Sequence, residues 1–142
     1  MDLIFYFNVK SRESALSQLV GKSLARGWTV NILTASEAAT SALDRVLWEI
    51  PQTGFLPHCA ADADIAAQTP IVIDHRRELL QARTVLFNWS GQVPGGIEGY
   101  ERVIEIVDSD DERRQAARAL WRAYAAQGYT PKGHDMQEQA HG

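Results

Sequence analysis

The chain has 142 residues, 45% hydrophobic and 23% charged, enough to bury one ordinary core and too few to suggest two domains. Its net charge of −4 argues against general nucleic-acid binding, because a protein that neutralises many phosphates is normally basic overall. A single cysteine, Cys59, excludes an internal disulfide framework.

The cations are nonetheless of one kind. Of the 14 basic residues 11 are arginine, the side chain suited to bidentate recognition of carboxylate or phosphate. The opening MDLIFYFNVK has no basic region before its apolar run, and no apolar run approaches the roughly 20 residues needed to cross a bilayer. A cytoplasmic location without a membrane partner is therefore expected.

Residues 3–7 (LIFYF) are uninterruptedly apolar and aromatic, as in a central strand covered on both faces. Ser11 can cap a helix to about Arg26, with Ala15, Leu16, Leu19, Val20 and Leu24 as its apolar stripe and Gly27 as its stop. Residues 28–33 (WTVNIL) read as a second strand, so the three elements form a βαβ unit with a parallel pair. Ser36 opens the next helix, with Ala39, Leu43, Val46 and Leu47 facing inward.

Residues 47–58 (LWEIPQTGFLPH) hold Trp48, Ile50, Phe55 and Leu56 on a backbone stiffened by two prolines. On the residues alone, a loop folded back onto its own core is favoured over an exposed partner site. Residues 60–68 read as a featureless surface loop, and residues 70–74 (PIVID) as a short strand followed by the basic pair Arg76 and Arg77 and an amphipathic piece through Leu79 and Leu80. Residues 83–89 (RTVLFNW) form another strand, residues 91–99 a loop or single turn, and residues 100–107 (YERVIEIV) the last strand.

The stretch from Asp108 to Gly128 reads as one helix with both ends marked. Ser109 is the expected N-cap, paired reciprocally with Glu112, and Gly128 the left-handed stop. At 100° per residue Ala116, Leu120, Ala123 and Tyr124 share a docking face, Arg114, Arg118 and Arg122 line up on another, and Trp121 falls on the seam. Like charges at i, i+4 cost about 0.2–0.5 kcal/mol per pair, so the row is not there to stabilise the helix. A solvated face and a binding site are both open readings of it. The acidic residues Asp108, Asp110 and Asp111 are explained by the helix's first turn, where negative charge is favourable.

The expected fold is thus a single α/β domain over residues 1–129, with a mostly parallel sheet, helices on both faces and a Rossmann-like topology that lacks a nucleotide-binding fingerprint. Residues 130–142 are polar and expected to form a disordered tail.

Three blocks resemble the chi subunit of bacterial DNA polymerase III: the opening IFYF, the segment LDRVLWEIPQTGFLPH, and the end YERVIEIVDSDDERRQAARALWRAYAAQGY. The combination of LW-x-x-P-x-x-x-F-x-P-H with W-R-A-Y-x-x-x-G-[YF] carries the likeness, which spans most of the chain. The resemblance implies a non-catalytic adaptor of the clamp-loader assembly, a monomer within a hetero-complex, with no cofactor and no more than weak direct nucleic-acid contact. It implies that Val107, Arg114, Arg118, Trp121 and Arg122 receive the acidic C-terminal tail of single-stranded DNA-binding protein, which ends in an apolar residue and a free carboxylate. It further implies that Trp48, Phe55 and Pro57 meet a psi-like subunit, which reverses the reading of that segment as a core loop.

Other constellations are weak. Gly21-Lys22-Ser23 lacks the upstream glycine of a phosphate-binding loop and sits inside a helical pattern. His58 and Cys59, with Asp62, Asp64 and His75 downstream, lack the repeated spacing of a zinc site, and a structural histidine is expected. Asn88-Trp89-Ser90 fits a glycosylation sequon only formally. The rival to the adaptor is a small nucleotide-dependent enzyme, or a direct nucleic-acid binder, using the same arginines.

Overall fold

The computed structural model describes residues 1–49 and 58–137, without the side chain of Trp48. Ten elements make up this part of the chain: β1 (Asp2–Val9), α1 (Arg12–Ala25), β2 (Val30–Thr34), α2 (Glu37–Glu49), β3 (His58–Cys59), β4 (Ile71–Asp74), β5 (Val85–Trp89), β6 (Arg102–Asp108), α3 (Asp111–Ala126) and β7 (Lys132–Asp135). The strands form one seven-stranded sheet in the order β3-β4-β2-β5-β6-β1-β7, and the pairings are parallel throughout. This is the expected α/β architecture, but β1 and β2, expected to pair directly, are separated by β5 and β6, which insert between them. Among the described residues no helix is long and apolar enough to cross a membrane.

Strands covered on both faces must be apolar on both, and β2 is buried at every position. The period of two separates the core into two layers. On one face Val30, Ile32, Ile71, Ile73, Phe87, Ile104 and Ile106 pack under α1 and α2, which contribute Leu16, Leu19, Val20, Leu43 and Leu47. On the other, Leu3, Phe5, Leu33, Val72, Leu86, Val103 and Val107 pack under Tyr124 of α3 together with Leu80, Ile97 and Tyr100.

The helix ends follow from local chemistry. Ser11 Oγ accepts from the Ser14 N–H at 3.2 Å, as its type and position predict. At the far end Gly27 adopts φ 78°, and the Gly27 and Trp28 N–H groups reach back to the carbonyls of Leu24 and Ser23. The end of α3 closes identically: Gly128 has φ 94°, and the Gly128 and Tyr129 N–H groups bond the carbonyls of Ala125 and Tyr124.

The start of α3 differs from expectation by one residue. Asp110, not Ser109, is the N-cap, its carboxylate accepting from the Arg113 N–H at 3.0 Å. Strand β6 runs on to Asp108, whose own carboxylate accepts from the Asp110 N–H, and this local turn delays the helix. The docking face shifts as well. Ala117, Leu120, Trp121 and Tyr124 meet the sheet, while Ala116 is exposed.

Two polar stretches are more ordered than their composition suggests. Ala61 and Ala66 pack on the second core layer, and Arg83 clamps the turn at Ala66–Gln68 through the carbonyls of Ala66 and Thr69. The expectation of a disordered tail fails for residues 132–135, which pair with β1 as β7. Main-chain pairing with a free strand edge needs no apolar alternation. It is helped here by a Tyr6–His134 ring contact at 5.1 Å and by Met136, which packs on the first core layer.

Among the described residues Glu105 is the one acid buried beneath α3, 6% exposed, and its Oε2 accepts from the Tyr124 hydroxyl at 2.7 Å and from the Asn88 amide at 2.6 Å. Burial pushes the Glu105 carboxyl up from an ordinary 4.5 to about 8, against the pull of those two hydrogen bonds. The folded protein therefore holds a proton that the unfolded chain releases near 4.5. Stability from this group is complete below that pH and is lost as pH rises through about 8, at a slope of at most ~1.4 kcal/mol per pH unit. Glu105→Gln, whose amide oxygen can accept the same bonds without titrating, should flatten urea midpoints measured across this interval. A variant whose midpoints track the wild type would place the proton elsewhere.

Candidate functional site

The chain leaves β1 toward α1 on one face and leaves β6 toward α3 on the other, so the carboxyl ends of these neighbouring strands flank a switch in direction. A crevice at such a point is where open parallel sheets commonly bind ligands. Here it is a cleft of ≈ 410 Å³ between β1, the end of β6 and one side of α3.

Its walls are aromatic. Phe5 is buried and stacks at 5.0 Å, tilted, on Trp121, which is half-buried by that contact. Phe7 follows on the same side of β1 and is 36% exposed, an unusual position for a phenyl ring. Val107 and Ala117 complete the apolar lining. Between Tyr6 and Val9 the register with β6 breaks, and Asn8 takes φ 62° within the break. The extra residue lets Tyr6 and Val9 both join the layer beneath α1, as a bulge does. Asn8 lines the cleft and donates from Nδ2 to Asp135 Oδ1 at 3.1 Å.

The rim is cationic. Arg114, Arg118 and Arg122 all border the cleft, and all are exposed. None of their guanidiniums makes a hydrogen bond or ion pair with the described residues. Arg113, their neighbour, is committed: Nε and Nη2 reach the two oxygens of Asp108 at 2.9 and 2.7 Å. These bonds from Arg113, working against partial burial, hold the Asp108 carboxyl below its ordinary range. The single carboxylate on the rim is thus neutralised locally, and the three remaining guanidiniums face outward.

All five residues expected at this site, Val107, Arg114, Arg118, Trp121 and Arg122, line the one cleft. Phe5, Phe7, Asn8 and Asp108 line it too and were not among the expected residues. A signal for two of them lies in the period of two along residues 3–7, which sets Phe5 and Phe7 on one side. The bulge at Asn8 has no comparable sequence mark. Chemically, cations spaced about 5–6 Å apart beside a slot of aromatic rings suit a flexible segment that carries several carboxylates and one large apolar side chain.

The residues expected at the second surface are out of reach of this geometry. Phe55 and Pro57 lie outside the described residues, as does the side chain of Trp48. Of the side chains considered for zinc, His58 Nε2 is 2.8 Å from Asp44 and Asp62 pairs with Arg76. Among the described residues no group of three or more potential metal ligands occurs.

A family model described as DNA polymerase III chi subunit, HolC, matches residues 1–132. A DNA polymerase III subunit chi from Pseudomonas aeruginosa is 32% identical over 126 residues, 89% of this chain and 87% of the relative. Those of Haemophilus influenzae and Escherichia coli are 29% and 26% identical, covering 72% and 82% of each chain respectively. With a match that runs from the first strand through the start of the last, the chain belongs to the DNA polymerase III chi subunit family.

Proposed function

We propose that this protein is a non-catalytic accessory subunit of the replication machinery that grips the acidic C-terminal tail of single-stranded DNA-binding protein with its α3 cleft. Its other surface, around Trp48, Phe55 and Pro57, ties it to the clamp loader through a psi-like subunit. The observation that carries the first half is the row Arg114, Arg118 and Arg122, left without carboxylate partners beside a slot walled by Phe5, Phe7 and Trp121. The carboxylate that lines the cleft, Asp108, is paired with Arg113.

The ligand's acidic residues lie along the arginines, and its terminal apolar side chain enters between the rings. Such a contact is partly solvated, so affinity is modest and falls as salt rises. Titration of the protein with a synthetic acidic peptide ending in a free apolar residue should show saturable binding that weakens with added salt. Arg118→Ala should lower that affinity about tenfold, or ~1.4 kcal/mol. Equal binding by the variant would remove the site. Salt-sensitive binding to a bare oligonucleotide, with no response to the peptide, would favour the nucleic-acid reading instead.

The second surface has its own test. Trp48→Ala and Phe55→Ala should each abolish recovery of a partner in pull-downs from the native cell while leaving the melting temperature near that of the wild type. Unfolding of the isolated variants would assign both residues to the core.

A further inference from the structure

Strand β7 bears on the cleft through a residue that does not line it. Gly133 pairs with Phe5 across the β1–β7 ladder. Its backbone is not left-handed, so conformation does not call for glycine at this position. Space does. A Cβ at residue 133 would stand 3.1 Å from Cε1 and 3.8 Å from Cδ1 of Phe7, and 3.9 Å from Cη2 of Trp121. The edges of both wall rings therefore converge on the bare Cα of Gly133, and the Phe7 ring reclines against β7 where a side chain would otherwise stand.

We propose that Gly133 is a positioning residue that sets the width of the apolar slot: by leaving room behind Phe7, it holds the gap between Phe7 and Trp121 open to a large apolar side chain of the ligand. The ligand half of this inference rests on the peptide-binding reading above; the placement of the rings does not. At 3.1 Å a methyl group requires Phe7 to give by a few tenths of an ångström. A branched side chain has to displace Phe7 or Trp121 outright, and both rings border the cleft, so their displacement changes its shape. Neither substitution disrupts β7, since valine suits a strand better than glycine does.

The test compares the full-length wild type with Gly133→Ala and Gly133→Val, using two acidic peptides that differ only in ending with phenylalanine or alanine. Gly133→Val should weaken the phenylalanine peptide about tenfold or more and the alanine peptide by less than about threefold, with Gly133→Ala between, since pocket size acts on large side chains selectively. Melting temperatures should not fall. In the ligand-free variants the ring signals of Phe7 and Trp121 in NMR spectra should shift from their wild-type positions. Equal losses for both peptides would overturn the slot-width assignment, and so would unmoved ring signals. A wild type that binds neither peptide would dismiss the peptide-binding reading, and the ring signals alone would then decide whether Gly133 places Phe7.

Discussion

Tyr124 is the only side chain of α3 that is fully buried, and its hydroxyl is committed to a carboxyl group that burial keeps protonated near neutral pH. That anchor fixes the rotation of the helix on the sheet. Once Tyr124 is seated, the turn before it must bring Trp121 against Phe5, and the i, i+4 neighbours on the adjacent side must turn Arg114, Arg118 and Arg122 out over the end of β6. The energies agree with this order of control. Burying one large side chain stabilises by about 1.5–3 kcal/mol, against about 0.2–0.5 for each like-charge pair in the row. The helix can hold three aligned cations because its docking contact outweighs their repulsion.

Several other arginines are engaged by the fold itself. Arg12 lies 3.9 Å from the centroid of the Trp89 ring and donates to the Ile106 carbonyl. Arg76 forks onto buried Asp74: burial opposes ionisation there, but the hydrogen bonds from Arg76 and Ala61 hold the carboxylate well below its ordinary range. Arg77 and Arg83 clamp loops through backbone carbonyls. Each of these guanidiniums has its donors occupied by the fold. Arg26, Arg45 and Arg102 also make no guanidinium hydrogen bonds among the described residues, so what sets the row apart is the alignment of three such arginines beside an aromatic slot.

Much of this was legible in the sequence, and the remainder was hidden for identifiable reasons. Long apolar runs and the serine and glycine punctuation of α1 placed strands and helices, because those signals are local. The arginine row was visible because a helix projects its periodicity directly onto a surface. The capping shift from Ser109 to Asp110 was not, since both residues are competent caps and the choice depends on where β6 ends. Glu105 stands in a strand pattern like any polar residue, and only the tertiary contacts with Asn88 and Tyr124 reveal it as buried. Strand β7 left no mark because edge pairing is a main-chain interaction. With it went the support that Asp135 gives Asn8 and that Gly133 gives Phe7.

The bond from Asn8 to Asp135 joins residues 127 positions apart, and the ring of Phe7 rests on a strand from the opposite end of the chain. Closing so long a loop is the entropically dearest contact a chain of this size can make, and such contacts form late. Among the described residues strand β1 pairs only with β6 and β7, so the cleft stays unfinished until residues 132–135 have docked. The shape of the cleft is thereby tied to the docking of β7, so whatever loosens that strand also alters the wall at Phe7.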